Sequence, residues 1–342
     1  MAAVEPRSLG SSPPDLARAP SAEACARSGE GEIVGPAGWK RRFEDPLNTY
    51  YRYPVALLMV RGLIKTSITP NQVSFAQPLL AAAAGYLVTY DDWRHHLLAV
   101  VAFELRSILD CVDGSLARAK GMSSPYGHAI DAMADWLGVT FLYIGILMHL
   151  RMHPPASWTG AAGTTGVPSV VAITLVLIAA SAQGAIRSFS FDYFKTKYLS
   201  IYEAGRDASI EGLRTKVLAN RENPSLFGHI EVFIGRSGHL VFEREWFNPE
   251  TSRAALSPSE IDAMSRKQES PSARRMGFLW SVSGGDAFLS FVMLSILVGQ
   301  LWAAQLFFAT LGVVWIFAVI VYNVRFVRAA RRVEPSVIAA GS

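Results

Sequence analysis

Four aspartates, Asp110, Asp113, Asp131 and Asp135, stand in a stretch flanked on both sides by apolar sequence. Ionisable groups at membrane depth are costly, so their presence there points to function. Asp110, Asp113, Gly114, Ala117 and Arg118 follow one another at i, i+3, i+4, i+7 and i+8, which is one face of a helix. Gly127, Asp131 and Asp135 step by four and again share a face. Two such helices joined by a short turn would aim all four carboxylates into one cleft. Carboxylates gathered at low dielectric repel one another and need a compensating charge. Mg2+ or Mn2+ suits an all-oxygen donor set better than zinc does. Two such ions would neutralise a diphosphate and clamp the entering and leaving oxygens of an in-line displacement. Gly114, Ala117 and Gly127 leave room for a bulky ligand beside the backbone, and Arg118 supplies a fixed positive charge suited to phosphate.

The elements that must position these residues are apolar helices. The chain has 342 residues, 51% of them hydrophobic and 18% charged, which indicates a multispanning membrane protein with polar segments. A spanning helix needs about 20 mostly apolar residues, and six stretches meet that test: 72–90, 96–117, 128–150, 168–190, 276–299 and 302–325. The second extends through Lys120 to a stop at Gly121, and Ser123 or Ser124 with Pro125 starts the third, giving a tight helical hairpin. Ahead of the first span, "PVALLMVRGLIK" places Arg61 and Lys65 four apart on an otherwise apolar helix, as expected for one lying in the membrane interface. Thr69, Pro70 and Asn71 then form a break that either only caps the first span or also approaches a ligand.

Basic residues cluster before the first span, between the second and third, between the fourth and fifth, and after the sixth at Arg325, Arg328, Arg331 and Arg332. Short cytoplasmic loops carry such an excess, so both termini and the aspartates are expected to face the cytoplasm. His95 and His96 fall on the opposite side, away from the chemistry. Residues 1–38 read as a disordered tail and 327–342 as a basic C-terminal tail around a membrane domain over 44–326. The polar stretch 191–275, between the fourth and fifth spans, is longer than a loop needs and is expected to be a small cytosolic subdomain. In it "IEVFIGRSGHLVFER" reads as strand, turn, strand, and "SPSEIDAMSRKQ" as a capped helix. Lys195 and Lys197 mark the membrane interface. Cys25 and Cys111 are far apart and suggest free thiols. The formal charge of +4, with dispersed arginines, argues against a nucleic-acid partner.

The pattern D-x2-D-G-x2-A-R-x8-G-x3-D-x3-D is matched at all of its fixed positions, by Asp110, Asp113, Gly114, Ala117, Arg118, Gly127, Asp131 and Asp135. It resembles the signature of the CDP-alcohol phosphotransferase family. The resemblance implies an all-α integral membrane protein of six transmembrane helices, usually a homodimer, that transfers a substituted phosphate from a CDP-alcohol to an acceptor hydroxyl and releases CMP. It implies two divalent ions, Mg2+ or Mn2+, held by Asp110, Asp113 and Asp131, with Asp135 also near the metals. Asp110, Asp113, Gly114, Ala117, Arg118 and Gly127 would border the CDP moiety. Asp135 would be the general base, a role Asp131 could share. Arg187, at the end of the fourth span, and Asp286, within the fifth, are candidates for contacts to an alcohol or phospho-alcohol acceptor. The reading is therefore phospholipid synthesis, with CDP-diacylglycerol as a donor, in the cell (inner) membrane. The alternatives are a Mg-dependent intramembrane prenyltransferase, against which the Gly, Ala and Arg positions argue, and a divalent-cation transporter, whose carboxylates should lie nearer the bilayer midplane.

Overall fold

The computed structural model describes residues 45–122, 125–154, 170–204, 206–243, 245–252 and 270–331. A π-helical turn over Asn48–Arg52 leads into α1 (Tyr53–Leu63). Ala56 and Val60 of α1 are fully buried while Leu58 is 64% exposed, so this helix is apolar on both its packed and its open side. Thr69 caps α2 (Pro70–Val88) in a reciprocal box: its hydroxyl accepts from the Gln72 N–H at 3.3 Å, and the Gln72 side-chain oxygen accepts from the Thr69 N–H at 2.9 Å. Pro70 follows at the first helical position, where a missing N–H costs nothing.

Asp92 caps α3 (Trp93–Ala119) by accepting from the N–H groups of Arg94 and His95. The helix stops at Gly121, whose φ of 62° only glycine adopts readily. The Met122 N–H reaches back to the Ala117 carbonyl at 2.8 Å and the Gly121 N–H to Arg118 at 3.2 Å, the paired bonds of a Schellman cap. From Pro125 the chain returns as α4 (Pro125–Met152); the two serines expected to cap it lie outside the described residues. α5 (Val170–Ala204) follows, then α6 (Ala208–Glu222) and α7 (Leu226–Glu243). The described residues close with α8 (Pro271–Ser281), α9 (Gly285–Leu297), α10 (Leu301–Phe307), a π turn over Phe308–Gly312, and α11 (Val313–Arg331).

α2 lies lengthwise against both α3 and α4. Glycine makes this possible: the backbones of α2 and α4 touch where Gly85 meets Phe141 and Gly145, positions at which any Cβ would collide with backbone. A core of Ala81, Ala84 and Val88 from α2, Phe103 from α3, and Leu142 and Ile146 from α4 runs on into Phe288 and Val292 of α9. Apolar residues also cover much of the outer surface, as bilayer contact requires, Leu79 being 72% and Trp136 74% exposed.

Where six spans are expected, three segments among the described residues are long and apolar enough to cross a membrane: Met133–Met152, Val170–Ile201 and Leu301–Phe326. α8 and α9 together make a fourth if taken as one span bent by 48°. α2 and α3 match their predicted spans in place but not in apolarity. α3 carries Glu104, Arg106, Asp110, Asp113 and Arg118, and α2 carries Gln72, Ser74 and Gln77; of these Ser74 and Gln77 bond Asp113, Glu104 bonds Arg52 and Arg106 pairs with Asp135.

Two further readings are corrected. The segment read as a hairpin is the helix α7, and no strand occurs among the described residues. Its glycines allow close packing instead of a turn: a Cβ at Gly235 would strike Leu213 and one at Gly238 would meet Phe189 at 2.8 Å. Lys197, read as an interface marker, is fully buried between Asp207 at 2.5 Å and Glu243 at 2.6 Å, which joins α5 to α6 and α7. α5 continues past residue 190 as a single helix, so the polar stretch opens as an extension of a spanning segment. The tail 1–38, Cys25 and the predicted helix over 257–268 lie outside the described residues, and the C-terminal stretch 327–342 is described only to Arg331.

Candidate active site

Asp113 is the most enclosed of the aspartates, 6% exposed. Its Oδ2 accepts from Ser74 Oγ at 2.6 Å and from Gln77 Nε2 at 2.8 Å, both on α2. A carboxylate in a helix interior is tolerable with such donors, and here the donors also fix its direction. Lys120, two residues after Arg118, donates to the carbonyls of Thr66 and Ile68 at 2.8 and 2.7 Å, tying the α1–α2 connection to the end of α3.

Asp135, on α4, pairs through Oδ1 with Nη2 of Arg106, whose side chain is 3% exposed. Arg106 stands one turn before Asp110 on α3 and fits because Gly138 faces it; a Cβ there would approach Arg106 Nε to 3.3 Å. The charges acting on Asp110 include those of Asp135, Arg106, Asp286 and Asp131. Those acting on Asp113 include Asp131 and Asp135. The two arms therefore bring four carboxylates into one another's field, with the Arg106 guanidinium as the cation among them. Gly114 and Ala117 are partly buried on the same arm, and Arg118 is exposed, its Nη2 donating to Ser115 Oγ at 3.2 Å. Gly127 lies in the first turns of α4.

Asp286, at the start of α9, joins this neighbourhood through the π turn ahead of α1. Asn48 Nδ2 donates to its Oδ2 at 2.6 Å. Arg52 grips Glu104 of α3 with two bonds, of 2.7 and 2.8 Å, and also donates to Asn48 Oδ1 at 3.0 Å and Ser290 Oγ at 3.1 Å. Arg187 is placed differently. It is 3% exposed, its guanidinium lies over the Phe308 ring at 5.8 Å, and its Nε has no hydrogen-bond partner. A buried guanidinium with an open donor is suited to an anionic ligand.

Sequence reasoning missed Ser74, Gln77, Arg106, Arg52 and Glu104. Arg106 carried a signal, since an arginine within an apolar helix one turn from Asp110 calls for a reason. Ser74 and Gln77 lie one turn apart on α2, but their target is on another helix and their own sequence does not name it.

Among the described residues no three His, Cys, Asp or Glu side chains are already converged into a metal-binding cage. The donor chemistry nevertheless fits a hard divalent cation: the facing groups are carboxylates, mutually repelling, with the Arg106 guanidinium in partial compensation. Asp110, Asp113 and Asp131 are the residues that would hold it.

Comparison with known proteins places this geometry in context. Residues 67–203 match the family model described as CDP-alcohol phosphatidyltransferase, a span that contains all four aspartates and both arms of the hairpin. Ceramide phosphoethanolamine synthase of Drosophila melanogaster is 36% identical over 121 residues, covering 32% of this chain and 31% of that protein. The bifunctional IPC transferase and DIPP synthase of Rubrobacter xylanophilus is 29% identical over 140 residues, 41% of this chain and 30% of its own length. Archaetidylinositol phosphate synthase of Aeropyrum pernix is 32% identical over 108 residues, 32% of this chain and 54% of the relative. The chain thus spans about a third to a half of the length of these relatives.

Proposed function

We propose, from the premise that residues 67–203 are a CDP-alcohol phosphatidyltransferase domain, that the chain transfers a substituted phosphate from a CDP-alcohol to an acceptor hydroxyl. The observation that carries the reading is the α3–α4 hairpin, which gathers the four motif aspartates into one field. In the reaction the acceptor oxygen bonds to the phosphorus that bears the donor's alcohol, the bond from that phosphorus to the bridging oxygen breaks, and CMP leaves with the electron pair. Asp135 takes the acceptor's proton. Arg106 holds one of its oxygens and so fixes its direction, while the side chain keeps 50% exposure toward the cleft. Ser74 and Gln77 set Asp113 from behind. A Mg2+ or Mn2+ ion held by Asp110, Asp113 and Asp131 would supply neutralisation of the diphosphate. Arg118, at the exposed edge of the arm, suits the nucleotide's phosphates. Arg187 suits an anionic group on a phosphorylated acceptor, and Asp286 a hydroxyl.

A phosphatidyl donor such as CDP-diacylglycerol is the first reading of the substrate, in keeping with the relative whose name gives an archaetidylinositol phosphate product. The second reading, a soluble CDP-alcohol with a lipid acceptor, is favoured by the relative named ceramide phosphoethanolamine synthase. In both, the chain crosses the membrane six times, α2 and α3 included, with the aspartates at the cytoplasmic face of the cell membrane, and acts as a homodimer. The test is CMP release by purified protein with Mg2+ or Mn2+ and a matrix of CDP-alcohols and acceptors, each lipid product being identified. CMP release that requires both partners supports the reading, and its absence with every pair from folded protein refutes it.

A further inference from the structure

At the other end of α3 from the aspartates, three histidines and an aspartate surround a cavity of about 340 Å³. Asp91 and His96 come from the α2–α3 turn and the start of α3, His149 from the last turn of α4 and His153 from just past its end, four residues on. The wall opposite is the α9–α10 turn, shaped by Gly299 at φ 67°. Asp91 and Asp110 are separated by 19 residues of mostly helical chain, about 28 Å at 1.5 Å per residue, so this cluster is independent of the aspartate cleft.

We propose that this cavity is a binding site for a transition-metal cation of the zinc class, held by His96, His149 and His153 with Asp91 at its mouth. The ring nitrogens support it. His96 Nε2 meets the Tyr90 carbonyl at 2.8 Å, so it carries the proton and leaves Nδ1 as a lone pair. His149 Nδ1 is buried and has no hydrogen-bond partner, in a residue that is 8% exposed. An imidazole with one nitrogen anchored on a carbonyl and the other open is the usual arrangement of a metal-binding histidine. His153 Nδ1 lies 3.8 Å from Asp91 Oδ2. The ring centroids of His96 and His149 are 5.2 Å apart and those of His149 and His153 are 5.3 Å apart. Imidazoles bound tetrahedrally at Zn–N of about 2.0–2.1 Å have centroids roughly 5 Å apart. Among the described residues the donors do not converge into a metal-binding group, and His153 and Asp91, the exposed members, would turn inward to close the site. Nitrogen ligands select against Mg2+, so the two ends of the bundle would take different metals. Bound there, the ion would pin the α2–α3 turn to the end of α4.

The full chain in detergent or nanodiscs, stripped by chelation, is titrated with Zn2+ by calorimetry and with Co2+ by visible absorption. With excess Mg2+ present to occupy the carboxylate cleft, the expected result is one ion per chain with tetrahedral Co2+ bands that Zn2+ abolishes. Uptake should persist when Asp110 and Asp113 are both changed to Asn. It should weaken at least about 10–100-fold, the cost of disturbing even an outer partner of a metal site, in His149→Gln and in His153→Gln. The second variant sits at the cavity mouth, so a folding defect does not obscure it. Uptake that is unchanged in His153→Gln and His96→Gln, or lost with the two aspartates, overturns the proposal, as does the absence of any Zn2+ binding by folded protein.

Discussion

Two clusters of charge lie deep in this protein and follow opposite rules. Around Lys197 the ammonium is shared by Asp207 and Glu243, all three side chains are 12% exposed or less, and Tyr193 adds a hydrogen bond to Glu243 at 3.0 Å. Around the hairpin, Asp110, Asp113, Asp131 and Asp135 share the field of Asp286 and the guanidinium of Arg106, and Asp135 remains half exposed. A cluster closed on itself holds helices together, here α5, α6 and α7. A cluster left short of positive charge and open to a cleft is poised for a ligand that brings the charge. Under the proposed function the first serves stability and the second chemistry, and substitutions can test it.

The largest expected effect is at the open cluster. Asp135→Asn keeps the shape and the Arg106 neighbour but removes the proton acceptor, and turnover should fall by about 10²–10⁴-fold, the contribution typical of a general base. Expression and thermal stability should stay near wild type. Asp131→Asn should also abolish turnover, through the ligand set. A variant of either aspartate that releases CMP at near the wild-type rate would remove that residue from the chemistry.

Lys197→Met should show the reverse signature. It strands two buried carboxylates, a change that costs about 3–5 kcal/mol, and the melting temperature should drop sharply. Activity per folded molecule should change far less. If the melting temperature holds and only turnover falls, the closed cluster is not a structural staple. Ser74→Ala is expected to be milder and to fall between the two. The loss of one donor to a buried carboxylate costs about 1–3 kcal/mol, while Gln77 still holds the same oxygen of Asp113. A measurable rise in the divalent-ion concentration needed for half-maximal CMP release should accompany it, which a purely structural serine would not cause.

What the sequence disclosed divides along the same line. The hairpin was legible because its information is local: helical spacing puts the aspartates on two faces, and Gly121 at φ 62° is where a helix must stop. The partners that tune it were not, because Ser74, Gln77 and Arg106 acquire their meaning across helices. The closed cluster was misread for the same reason. Lys197 beside an apolar span looks like an interface lysine until α6 and α7 fold over it. α7 was read as a hairpin because glycines among apolar residues suit a turn; only the neighbours Leu213 and Phe189 show that they serve close helix packing. The apolarity of α2 and α3 misleads in the other direction, since the polar residues that build the site lower it.

The smallest expected effect is a pH dependence confined to the closed region. His239 on α7 is buried beside the same ions, packs edge-on against Phe247 at 5.4 Å, and leaves Nε2 without a hydrogen-bond partner. Burial pushes its pKa below the ordinary histidine value and Lys197 adds to this, against the opposing pull of Glu243, Glu245 and Asp207. The unfolded chain therefore takes up a proton at higher pH than the folded one does. Stability from this residue is complete above the unfolded value near 6.5 and declines as the pH falls through it toward the lower folded value. Thermal unfolding followed from pH 7.5 to 5 should show a modest loss that His239→Gln flattens, without altering the pH dependence of CMP release. Should the variant instead shift the activity profile, the two clusters would be coupled, and the division of the molecule into a closed support and an open reacting cleft would have to be redrawn.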